Sequence, residues 1–146
     1  MKLITKLQSY TDVITNSSST VFLMHKEDAE FYEKDTPGNC CSITLINEQW
    51  VRDSYWEWQL ICDYLNIPYE EVATKQTCEK CYWNPEGFYW KTPDNKLWNI
   101  WVDNNLERLK KDLFGLYFVD IEDHFADAYE YIDSASNDAL ITDYRH

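Results

Sequence analysis

The chain has 146 residues, 26 acidic against 13 basic, and a formal net charge of −13. Its length suggests one domain over residues 1–146, and 45% apolar residues with only three Gly and four Pro argue against a disordered or repeat architecture. A protein this acidic is expected to avoid nucleic acid and anionic membranes and to favour basic partners, although solubility alone is a sufficient reason for negative charge. No apolar run reaches the length of a membrane span, and the opening MKLITKL lacks the apolar core of a secretory signal. The expectation is a cytoplasmic protein.

In chain order, residues 2–7 and 20–25 read as short strands, linked through Ser17, Ser18 and Ser19. Residues 40–46 (CCSITLI) form a third strand candidate, entered through the turn Pro37, Gly38, Asn39. Asn47 can cap a helix over residues 48–65, with Trp50, Val51, Trp58, Ile61, Cys62 and Leu65 on its core face. Trp56 and Leu60 stand one turn apart off that stripe and are candidate interface anchors.

Residues 87–102 (GFYWKTPDNKLWNIWV) place two β-rich runs around Pro93 to Lys96, which predicts a hairpin with aromatics on both faces. Asn104 or Asn105 opens a short helix carrying Leu106, Leu109 and Leu113, and Gly115 suits its end. Residues 116–119 (LYFV) read as a buried strand. Asp120 then caps a last helix, with Asp123 at the capping-box position and Ile121, Phe125, Ala128 and Ile132 on its core face. Asp123, Asp127 and Glu130 would line the opposite face, with Asp133 and Asp138 near its rim. The sum is an α+β fold: a single mostly antiparallel sheet with two or three helices packed on it.

Catalytic signatures are missing from the sequence. It has three histidines, no G-x-S-x-G elbow, no phosphate loop and no HExxH. An enzyme would have to assemble its site from tertiary contacts alone, so the expectation is a protein that is not an enzyme. The stretch TCEKCYW carries Cys78 and Cys81 at the C-x2-C spacing that lets two thiolates reach one tetrahedral zinc ion. Cys40 or Cys41, with His25, could complete the shell, although adjacent cysteines on a strand point to opposite faces. A structural zinc is the one cofactor these residues suggest; reduced structural cysteines are the simpler alternative.

The segment Asp12, Ile14, Thr15, Asn16, Ser17, Ser18, Ser19 and Phe22 resembles a short N-terminal peptide, D-x-I-T-N-S-S-S-x-x-F, shared by small proteins of phages and mobile elements that are otherwise dissimilar. The resemblance implies a phage or mobile-element origin and a processing or sorting signal, or a common opening hairpin; it implies no activity. Taken locally, the same residues are turn formers. From Asp112 to Tyr144 there are nine carboxylates and no Lys or Arg. Charge and resemblance together point to a small phage-encoded protein that occupies a basic, nucleic-acid-binding site on a host protein, as an anti-defence inhibitor or nucleic-acid mimic. A zinc-stabilised binding or virion-associated module is the alternative.

Overall fold

The structure is a computed structural model that describes residues 3–7, 18–37, 39–78 and 87–145. It is an α+β fold with a mostly antiparallel main sheet, as the sequence predicts. In chain order the elements are β1 (Leu3–Leu7), β2 (Ser19–Met24), α1 (Lys26–Asp35), β3 (Cys41–Leu45), α2 (Glu48–Asp53), α3 (Trp58–Leu65), β4 (Thr74–Thr77), β5 (Phe88–Lys91), α4 (Asn95–Asn104), α5 (Leu106–Asp112), β6 (Tyr117–Glu122), α6 (Ala128–Asp138) and β7 (Ile141–Arg145). The chain divides into two compact units, one of Met1–Asn47 with Leu113–His146 and one of Glu48–Asp112.

The first unit holds the five-stranded sheet, in the order β1-β7-β2-β6-β3. Only the β1–β7 pair is parallel. β2 is central, and its continuous apolar run fits that place: Val21 and Leu23 point to one face, Phe22 and Met24 to the other, and all four are fully buried. α1 and α6 pack on the Phe22 face, where Phe22, Met24, Val119 and Ile121 meet Ala29, Tyr32, Ile132 and Ala135. The strand expected over residues 20–25 is therefore present, and its Val21 and Phe22 are core residues. Asp12, Ile14, Thr15, Asn16 and Ser17 of the Ser-rich peptide lie outside the described residues.

The last helix differs from the sequence expectation. Asp120 does not cap it, because β6 runs on to Glu122. Val119 and Ile121 alternate into the core while Asp120 and Glu122 face the other way, and Ile121 pairs with Thr20 on one side and Cys41 on the other. Pairing on both edges holds this segment in the sheet more firmly than a capping box could draw it into a helix. The helix begins only at Ala128, with Asp127 at its N-cap in the left-handed region (φ 68°). Asp123 therefore sits in a bend before the helix, and Asp123, Asp127 and Glu130 do not form one helical stripe. β7 and α1, which the sequence reading lacks, complete the unit.

In the second unit the expected helix over 48–65 breaks at Ser54 into α2 and α3, joined by a 3-10 turn at Tyr55–Glu57. The break exposes Trp56 (57% accessible) and buries Leu60 completely, so Leu60 is a core residue rather than an interface anchor. The predicted hairpin across Pro93 to Lys96 is also corrected. Asp94 accepts a hydrogen bond from the Leu97 amide at 2.8 Å and caps α4. Trp98, Trp101 and Val102 are buried at helical spacing, while Leu97 and Ile100 face out. β5 pairs instead with β4, upstream of it. Trp98 and Trp101 stack at 4.9 Å, and Trp98 Nε1 donates to the Val51 carbonyl at 2.6 Å.

Candidate functional site

α1 and α6 lie side by side on the sheet and are tied by Tyr32, whose hydroxyl donates to Asp138 Oδ2 at 2.7 Å and shares a hydrogen bond with Ser134 Oγ at 2.9 Å. Beside this tie the two helices enclose a groove of about 300 Å³, lined by Phe31, Asp35, Asp127, Glu130, Tyr131 and Ser134. That volume is at the lower end for ligand pockets and suits a side-chain-sized group. α1 has its core stripe at Ala29 and Tyr32, which turns Phe31 and Asp35 off the sheet; Phe31 remains 51% accessible. Tyr131 is half-buried, and its hydroxyl donates to the Asp35 carbonyl at 2.8 Å, a second tie between α6 and the end of α1.

Asp35, Asp127 and Glu130 bring three exposed carboxylates to this groove. None of them is ion-paired among the described residues. Asp127 and Glu130 sit at the N-terminal end of α6, where the helix dipole offsets part of their mutual repulsion. Carboxylates accept hydrogen bonds from ammonium or guanidinium groups, and the faces of Phe31 and Tyr131 attract the same cations. The Ser134 hydroxyl is engaged by Tyr32, and no histidine lines the groove. The arrangement is suited to holding a cation, and it pairs no nucleophile with a base.

The structure thus keeps two of the predicted acidic residues together, Asp127 and Glu130, and adds Asp35 from a helix the sequence reading lacked. Asp133 is exposed on α6 outside the groove lining. Asp138 is a structural acceptor for Tyr32 rather than a free rim charge. The one sequence signal for Phe31 is compositional: with Tyr32 it forms an aromatic pair among five acids in KEDAEFYEKD.

Of the cysteines, Cys40 and Cys41 are free and half-buried in the first unit. Burial pushes the Cys41 thiol up, partly opposed by a hydrogen bond with Thr36. Cys78, in the second unit, is disulfide-bonded, and Cys81 lies outside the described residues. His25 is exposed at the N-cap of α1. Among the described residues no group of three or more His, Cys, Asp or Glu side chains could hold a metal ion. No described helix is long and apolar enough to cross a membrane. No protein-family model, no curated protein and no solved structure matches this chain.

Proposed function

We propose that this is a binding protein that engages a basic surface of a partner protein by seating a lysine or arginine side chain in the groove between α1 and α6. The observation that carries this reading is the convergence of three carboxylates, without an ionic partner among the described residues, on a cavity walled by Phe31 and Tyr131. The wider charge distribution supports it. The first unit holds fourteen of the acidic residues and five of the basic ones, so its net charge of −9 is most of the chain's −13. Such a field steers basic partners toward the groove before contact.

The resemblance of the Ser-rich peptide to those of phage proteins makes a nucleic-acid-binding site of a host protein the partner class we favour, because such sites already present Lys and Arg to phosphate. In this reading one groove captures a cation, and no row of helix carboxylates imitates a phosphate track. The test is titration of the 15N-labelled protein with a nine-residue oligo-arginine peptide at low and high salt. The expected shifts centre on Phe31, Asp35, Glu130 and Tyr131 and weaken with salt, since exposed attraction is screened. Shifts spread evenly over acidic residues of both units, with none larger at the groove, would overturn the proposal.

A further inference from the structure

Among the described residues, β3 lies at an edge of the main sheet and pairs only with β6. The hydrogen-bond phase of that pairing is fixed at both ends. The Glu122 amide donates to the Cys40 carbonyl at 2.9 Å, and the Ile46 amide donates to the Leu116 carbonyl at 2.9 Å. In an antiparallel ladder every second residue bonds to the neighbour, so Ser42 and Thr44 also turn their amides and carbonyls toward β6. Cys41, Ile43 and Leu45 turn theirs outward. Among the described residues, nothing pairs with those outward backbone groups.

Exposed edges are usually guarded by a charge, a proline or a bulge. β3 reads CSITL and has no charged residue, no proline, and an unbroken register against β6. Ser42, Thr44 and Leu45 are exposed. The surroundings are acidic. α1 packs against β3, and its Glu33 lies near enough to Cys41 to act on it electrostatically, as does Asp120 on the neighbouring strand.

We infer that β3 is a docking edge for an extended basic segment of a partner protein, which adds as a further strand with its backbone on Cys41, Ile43 and Leu45 and a Lys or Arg side chain toward Glu33. Backbone pairing supplies the attachment, and the carboxylate selects the charge of the alternate side chains. A second copy of this chain fits less well, because pairing two β3 edges would bring together two units of net charge −9 each. The inference rests on the sheet edge and not on the groove between α1 and α6, so each can fail without the other.

The experiment titrates 15N-labelled protein with a seven-residue peptide of alternating valine and lysine, and with its valine–glutamate counterpart. The expected result is saturable shifts and slowed amide exchange at Cys41, Ile43 and Leu45, with the glutamate peptide binding about tenfold more weakly or worse. Leu45→Pro removes an outward amide and no ladder bond, so it is expected to keep the fold and abolish the shifts. Glu33→Lys leaves the backbone untouched and is expected to erase or reverse the preference between the peptides. Shifts confined to Phe31 and Tyr131 with the edge amides unmoved would overturn the edge and leave the groove standing. Equal affinity of both peptides for native and Glu33→Lys protein would also overturn it, as would a dimer of the peptide-free protein that Leu45→Pro dissociates.

Discussion

Tyr32 shows how one side chain holds the candidate site in place. Its side chain is fully buried, and its hydroxyl lies between the helices within reach of Asp138 and Ser134. Burial, reinforced by the Asp138 carboxylate, holds the phenol well above its ordinary pKa, so it is a donor at any pH of interest. Tyr32→Phe keeps the volume and removes the tie between α1 and α6. The expected loss is about 1–2 kcal/mol in urea denaturation, limited because the exposed Asp138 can turn to water. Cys62 gives a second residue-scale expectation. It is fully buried, and burial, with Asp63 and Glu71 adding, pushes its thiol up to about 12. The unfolded chain ionises near pH 8.5 and the native one does not, so the native state binds more protons above that pH. The contribution is fully present below pH 8.5 and is lost as pH rises toward 12. Between pH 7 and 10 this removes roughly 1–2 kcal/mol, and Cys62→Ala is expected to show a shallower decline over that range.

At the scale of elements, Asp94 decides between a hairpin and a helix. The residues around it are rich in β-formers, and PDNK suits a turn, so propensity favours a hairpin. The apolar spacing Trp98, Trp101, Val102 is helical, and the Asp94 cap together with burial of those three outweighs propensity. Asp94→Ala is expected to cost about 1 kcal/mol in chemical denaturation. The same competition explains the rest of what the sequence did and did not disclose. β2 was legible because its apolar run is unbroken. α6 starts at Ala128, seven residues after the expected start at Ile121, because Asp120 and Asp123 mimic a capping box at the end of an alternating strand. β7 was hidden because its ITDYR carries Asp143 into full burial, where Arg145 Nε meets it at 3.3 Å; no local pattern announces a fully buried carboxylate in a strand. Of the six groove residues, Asp127 and Glu130 were legible as acidic residues of the last helix. Phe31 and Asp35 come from α1, whose hydrophobic stripe is only Ala29 and Tyr32, too sparse to mark a helix by period alone.

At the scale of the molecule, the charge asymmetry noted along the sequence becomes an asymmetry between units. The second unit has twelve acidic and eight basic residues and a net charge of −4, against −9 for the first. Its cations are partly used internally: Arg52 meets Glu48 at 3.0 Å and Asp103 at 2.6 Å, and Arg108 donates to the Leu65 carbonyl. A diffuse acidic field and a specific cation site make different demands. A field responds to total charge, whereas a site responds to which carboxylates are removed. Three neutralisations in the groove (Asp35→Asn, Asp127→Asn, Glu130→Gln) and three on exposed residues of the second unit (Glu70→Gln, Glu71→Gln, Glu107→Gln) change net charge equally. Asn at position 127 also tolerates the left-handed backbone that Asp127 adopts. The affinity of both variants for the oligo-arginine peptide, measured by calorimetry at the same ionic strength, is the most direct test of a cation site between α1 and α6. The groove variant is expected to lose about tenfold or more and the other to stay within about twofold of the native protein; equal losses in the two variants would contradict a cation site between α1 and α6.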